Sequence, residues 1–280
     1  MNVAVHSFPA PAKLNLMLRV VGRRADGHHL LQTVFRFIDY SDTLSFRVRD
    51  DGVIVRTNAV AGIAAEDDLS VRAARLLQQA TGTALGADIH LEKRLPTGGG
   101  LGGGSSDAAT TLLALNRLWQ LDMSRAQLLE LAVQLGADVP VFVFGDNAFA
   151  EGIGEQLTPI VLPPAWYVVL TPPVAVPTAR VFSHPELKRD SKLITIQSFS
   201  VESASNDLEP LVCREYPEVA RHLEWLRRFS PAMMTGSGAS VFAGFATENA
   251  AHEVLARLPV TMKGFVAQGL ARHPLRDLAR

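Results

Sequence analysis

The sequence predicts a fold of mixed helices and strands, in one large or two medium domains, on three observations. At 280 residues the chain can bury a sizeable core. Stretches of strict apolar–polar alternation, the period of a half-buried strand, are interspersed with stretches whose leucines recur at helical spacing. Between one of each lies a loop almost without side chains, Gly98-Gly99-Gly100-Leu101-Gly102-Gly103-Gly104, running into Ser105-Ser106.

Composition narrows the function classes. Hydrophobic residues at 48% with 20% charged residues describe a globular chain rather than a disordered one. A net charge of -1 with no basic run argues against a nucleic-acid partner. A single cysteine, Cys213, excludes an internal disulfide framework and a cysteine metal site. Residues 1–11 have neither the basic start nor the apolar core of a signal peptide, so a cytoplasmic address is expected. The uncharged run 157–179 carries Pro159, Pro163, Pro164, Pro172, Pro173 and Pro177, which would break a membrane helix. It reads as a strand with its approaches, or as an interdomain connection, and no membrane partner is expected.

In chain order, residues 12–20 alternate and should form a half-buried strand. Ala12, Leu14, Leu16 and Leu18 then face the core, with Lys13 and Asn15 together on the other face. Lys13 reads as a solvated strand lysine or as part of a pocket wall. The loop at 22–29 bends at Asp26-Gly27; its His28-His29 pair lacks ligand-spaced partners for zinc and suits a binding loop or plain surface. Strands follow at 33–40, 43–49 and 53–57, with breaks at Ser41-Asp42 and Asp50-Asp51-Gly52, then a helix at 66–80. A strand at 87–95 precedes the glycine loop and a helix at 107–120 follows it. Ser124 caps a second helix to Leu135. The apolar run 139–144 is a buried strand or a short helix, and Asp138 before it has the usual place of a cap. Strands at 148–157 and 166–170, a helix at 218–229, the apolar run 241–245, a helix at 248–258 and a strand at 264–268 complete the chain.

The glycine loop reads as a phosphate cradle: glycines admit backbone amides to an anion, and the helix N-terminus behind them favours negative charge. A flexible linker would be longer and richer in polar residues. A Walker A loop would place a lysine before Ser105, where Gly104 stands. Gly98, Gly100 and Gly103 match the dinucleotide fingerprint literally, but Asp122, at nearly the right spacing for its acid, lies between two helices. The protein-kinase loop lies between two strands, and no H-R-D or D-F-G follows here. What remains is a loop that wraps a polyphosphate with its amides and takes its lysine from elsewhere.

Three segments carry a resemblance. Pro9-Ala10-Pro11-Ala12-Lys13-Leu14-Asn15-Leu16, Pro96-Thr97-Gly98 through Ser106, and Thr235-Gly236-Ser237-Gly238-Ala239 resemble the motifs of the galactokinase, homoserine kinase, mevalonate kinase and phosphomevalonate kinase superfamily. Residues 24–33, 135–140 and Asn206-Asp207-Leu208-Glu209 are similar to the branch acting on a cytidine diphosphate-linked methylerythritol in the non-mevalonate isoprenoid route. The resemblance spans essentially the whole chain. It implies an α+β protein of two domains, a ribosomal-protein-S5-domain-2-like one at 1–160 and a ferredoxin-like one at 161–280, with the site between them.

It also implies roles. ATP would donate its γ-phosphoryl group, with Mg2+ bridging the phosphates on ligands the sequence does not name. Pro96, Thr97, Gly98, Gly99, Gly100, Leu101, Gly102, Gly103, Gly104, Ser105 and Ser106 would hold ATP. Asp138 would take the proton of the acceptor hydroxyl, with Lys13 beside it stabilising charge. Asn15 would bond the polyol, His29 would read the cytosine edge, and Phe182 would stack on the base with Thr178 nearby. His28 would lie against the base too, where a tyrosine is common in the family. Asp68 stands where an asparagine often sits. Within the superfamily a kinase of homoserine or mevalonate is the alternative; outside it, a non-catalytic ATP-binding regulator. A homodimer stays open.

Overall fold

The computed structural model describes residues 4–201 and 204–279. In chain order the first half forms β1 (His6–Arg23), β2 (His29–Arg49), β3 (Ile54–Arg56), α1 (Leu69–Thr81), β4 (Gly86–Glu92), α2 (Gly103–Leu118), α3 (Arg125–Leu135), α4 (Val139–Phe144), β5 (Ala148–Glu151) and β6 (Gln156–Pro159). The second half forms β7 (Trp166–Leu170), α5 (Thr178–Ser183), α6 (Glu209–Glu215), α7 (Pro217–Arg227), β8 (Ala232–Met234), β9 (Val241–Phe245), α8 (Glu248–Leu255) and β10 (Gly264–Gln268).

β1 and β2 make a long antiparallel ribbon with bulges at Pro11/Ala12, Asn15/Met17 and Val20/Gly22. β1 lies along one edge of β2, while β4 and β5 share the other edge; β3 adds to β4 and β6 to β5. The break expected at Ser41-Asp42 does not occur. Asp42 is wholly buried, and its carboxylate accepts from the backbone N–H groups of Arg94 at 2.5 Å and Leu95 at 2.7 Å. With its oxygens engaged across the sheet, Asp42 does not turn its own backbone. The single strand expected at 148–157 is instead the β5–β6 hairpin, bent at 152–155.

The second sheet runs β10-β7-β9-β8 and is antiparallel throughout. This strand order, with helices between β7 and β8 and between β9 and β10, is the ferredoxin-like split βαβ arrangement. The proline-rich run joins the two sheets. α6 and β8 have no counterpart in the sequence reading because seven and three residues are too short to display a period. The run at 139–144 resolves as helix α4, stopped by Gly145.

The apolar residues form three layers. α1 to α4 bury Leu77, Leu112, Leu128 and Phe142 against Phe37, Phe46 and Ile89 of the first sheet. Val168, Leu170 and Val241 of the second sheet face the helices through Leu211, Leu223 and Leu226. The alternate residues of the same strands, Tyr167, Val169 and Phe242, meet Leu14, Leu16 and Val34 between the sheets. Past β10 the chain returns to the first layer: Leu270 N–H donates to Phe37 O, His273 N–H to Gly145 O, and Leu275 and Ala279 pack into that core. No described helix is long and apolar enough to cross a membrane.

Candidate active site

The site grows from the outer edge of β1. An edge strand leaves alternate N–H groups unpaired, and here distant segments satisfy them. Lys13 N–H donates to Leu101 O at 3.0 Å, Asn15 N–H to Thr235 Oγ1 at 3.0 Å, Leu18 N–H to Ser205 O at 2.9 Å and Val20 N–H to Asp207 Oδ2 at 2.8 Å. The glycine loop and the second-sheet segments are thereby docked on one strand. That covering corrects the half-buried expectation: Lys13 and Asn15, on the face opposite Leu14, are each only 2% exposed.

Lys13 directs its ammonium at three acceptors: Asn15 Oδ1 at 2.5 Å, Gly100 O at 3.1 Å and Asp138 Oδ2 at 3.2 Å. Asn15 is itself fixed, since its Nδ2 donates to Thr33 Oγ1, which donates to Met17 O. Asp138 occupies the N-cap position of α4 yet its side chain makes no cap hydrogen bond. It turns to Lys13 instead and keeps 38% of its side chain exposed to the cleft. A buried cation thus holds a carboxylate that remains open to a ligand.

The glycine loop needs its glycines for two reasons. Gly100 has φ +74°, and a Cβ there would stand 2.2 Å from Thr235 O. Gly102 has φ +73°, and a Cβ would meet Phe142 and the Lys13 stem at 3.0–3.1 Å. Gly102 is also the N-cap of α2 and offers no side chain to bond its first amides, which leaves that helix end open to an anion. The Asn206-Asp207 motif is a clamp. Asn206 Nδ2 donates to Met234 O and Gly236 O, both at 2.8 Å, while Asp207 holds β1.

These segments enclose a cleft of about 660 Å³. Lys13, Asn15, Asp138, Thr178, Phe182 and all of residues 96–105 line it. Ser106 does not: it is buried, and its hydroxyl donates to Pro11 O at 2.7 Å, tying α2 to β1. His28 is exposed, with Nδ1 3.3 Å from Asp26, and stays outside the lining. His29 stands beside the cleft with its ring 5.0 Å from Phe182, and Thr178 shares a hydroxyl bond of 2.7 Å with Ser237.

One end of the cleft was missed by sequence reasoning. Ile63, Ala64, Leu69 and Leu91 form an apolar wall there beside Asp68, Lys93 and Asp107. Asp68 is committed to structure, capping α1 through Ser70 N–H and pairing with Arg56 at 2.6 Å. Lys93 bridges Asp42 and Asp107. Burial, with Asp42 and Asp68 adding to it and Lys93 opposing, pushes the Asp107 carboxyl up to about 7. No spacing rule marks this wall, because its residues come from a loop, a helix start and the end of one strand.

Comparison with known proteins decides the family. Residues 68–146 match the model of the GHMP kinases N terminal domain, and residues 186–263 that of the GHMP kinases C terminal. The chain is 66% identical to the 4-diphosphocytidyl-2-C-methyl-D-erythritol kinase of Nitrosospira multiformis, over 98% of this chain and 94% of that one. It belongs to the GHMP kinases. The same named kinase of Thiobacillus denitrificans is 64% identical over 97% of this chain and 98% of its own. A crystal structure of 4-(cytidine 5'-diphospho)-2C-methyl-D-erythritol kinase superposes with a TM-score of 0.82 at 35% identity, covering 94% of this chain and 99% of that one. A structure more distant in sequence, the homoserine kinase of Cytophaga hutchinsonii, shares the fold at TM-score 0.72 and 15% identity, over 98% and 96% of the two chains. This GHMP kinase is therefore a phosphotransferase, with ATP as the co-substrate its family implies, built on the two-domain α+β fold expected.

Proposed function

We propose that this kinase transfers the γ-phosphoryl group of ATP to the 2-hydroxyl of 4-diphosphocytidyl-2-C-methyl-D-erythritol, a step of non-mevalonate isoprenoid synthesis. The observation that carries the reaction type is the Lys13–Asp138 pair, 3.2 Å apart at the rim of the glycine loop. Phosphoryl transfer asks mainly for positioning and charge stabilisation. The open N-terminus of α2 and the loop from Pro96 to Ser105 cradle the phosphates. Asp138 orients the acceptor hydroxyl and takes its proton, and Lys13 stabilises the developing charge. On the acceptor side Asn15 bonds the polyol, and Phe182 with His29 receives the cytosine. The 64–66% identity to kinases of that name supports this acceptor over homoserine or mevalonate.

Mg2+ belongs to the same proposal. Among the described residues no three His, Cys, Asp or Glu side chains converge as a metal cage. Mg2+ commonly takes one or two protein oxygens plus phosphates and waters, and the Ser105 hydroxyl is a cleft-lining oxygen that fits such a shell. Bound there, the ion would neutralise charge on the phosphates. We assign residues 1–160 to the nucleotide side and 161–280 to completing the acceptor side, and a cytoplasmic address. The test is ADP release with the cytidine-linked methylerythritol set against homoserine and mevalonate. Turnover with the first alone is expected; ATP binding without acceptor-dependent ADP release would sink the reading in favour of a regulator.

A further inference from the structure

Arg189, in the segment after α5, uses all five of its N–H donors. Nη1 donates to Leu187 O at 2.9 Å and Pro185 O at 3.4 Å, and Nη2 to Phe182 O at 3.0 Å and His184 O at 2.7 Å. The fifth, Nε–H, donates to His29 Nε2 at 3.0 Å. A guanidinium has no acceptor, so His29 Nε2 must be the bare nitrogen of a neutral ring, and the ring proton sits on Nδ1. The charged groups facing the ring agree. Burial first, then the charges of Arg189, of Arg23 at the end of β1 and of neighbouring His28, all lower the His29 pKa. The imidazole is thus held in one tautomer, 5.0 Å from Phe182, with an N–H and no acceptor on its free nitrogen.

That distinction matters for a pyrimidine. N3 is an acceptor in cytosine and an N–H donor in uracil, whereas O2 is an acceptor in both. We infer that Arg189 is the positioning residue that sets base specificity in this kinase: by fixing His29 as an Nδ1–H donor toward N3, it selects a cytidine-linked acceptor over a uridine-linked one. The inference rests on the cytidine-linked acceptor proposed above. A site built to donate a hydrogen bond discriminates strongly against a partner that brings a second donor to the same place.

The experiment measures kcat and KM of the full-length enzyme with cytidine-linked and uridine-linked methylerythritol diphosphates, from pH 5.5 to 8, for wild type, Arg189→Met and His29→Gln. Wild type is expected to favour the cytidine compound. In Arg189→Met the freed ring can move its proton to Nε2 and accept from uracil N3–H, so the preference should fall by about tenfold or more, chiefly through KM. The KM for the cytidine compound should also become pH-dependent, falling below about pH 6.5, where the freed imidazole takes a second proton and again presents Nδ1–H to N3. His29→Gln leaves Arg189 in place but supplies an amide that can present either group, so the preference should fall there too; this variant decides if Arg189→Met does not fold. Equal KM increases for both compounds, with an unchanged ratio, would overturn the inference and leave the kinase assignment standing. Turnover of neither compound by wild type would instead defeat the acceptor on which both rest.

Discussion

Lys13 has each of its three N–H donors aimed at a fixed acceptor, and only one of those acceptors, the Asp138 carboxylate, is an ionisable group. Two residue-scale outcomes follow from that asymmetry. Asp138→Asn keeps the size of the side chain and removes the base, so turnover should drop by ~10²–10⁴-fold while nucleotide still binds. An Asp138→Asn enzyme with near-native kcat would remove it from the role of base. Lys13→Met keeps the stem packed under Gly102 but removes the charge, and kcat should collapse with the fold retained, checked by circular dichroism beside the assay. Asp107 offers a third outcome. Its folded pKa of about 7 lies above the ordinary 3.8, so between about pH 4 and pH 7 the folded chain holds a proton that the unfolded chain has released. Taken alone, this group makes stability fall as pH rises across that window and stay level above it. Asp107→Asn should flatten that slope, read as the difference in urea midpoint between pH 5 and pH 8.

Among the elements, the glycine loop is where sequence and structure agree for a reason that one can trace. Its composition already declared a backbone-made anion site, because only glycine tolerates the dihedral angles and contacts found at Gly100 and Gly102. Gly100→Ala would press a methyl on Thr235 O and strain a positive φ. It should destabilise the protein by more than ~1 kcal/mol and raise the KM for ATP above that for the acceptor. The strand read most cleanly, 166–170, is one whose two faces both meet apolar layers. Lys13 was ambiguous for a physical reason: a strand pattern reports which face is apolar, but it is silent on what covers the other face. The segments from 99–101 and 234–240 that bury Lys13 lie far along the chain. Asp138 was ambiguous in the same way, since a cap and a base share one sequence signature and differ only in where the carboxylate turns. Arg189, whose partners span 29 to 187, left no local mark at all.

At the scale of the molecule, two sheets share a middle apolar layer, and β1 contributes to all three cores through Ala10, Leu14 and Val20. The cleft lies where the segments docked on β1 meet, so its geometry depends on that shared packing. Arg125 ties the end of α4 to the segment after β10 in a comparable way: it donates to Ala279 O at 2.6 Å and to the carbonyls of Arg276, Val143 and Phe144. Arg125→Met would leave several of these carbonyls without a partner and should cost about 1–3 kcal/mol, seen as a lower melting temperature with KM values little changed.

The return of Leu275 and Ala279 to the first core bears on how the chain is made. Domains of a nascent protein usually fold in order as they leave the ribosome. Here the first half reaches the open before the residues that close its hydrophobic layer have been translated. Until codons 270–279 are read, part of that layer is unfilled, and the two halves are expected to mature together rather than in turn. A message truncated just before residue 270 would therefore yield an N-terminal half with its own core exposed, although every residue of the cleft had already been synthesised.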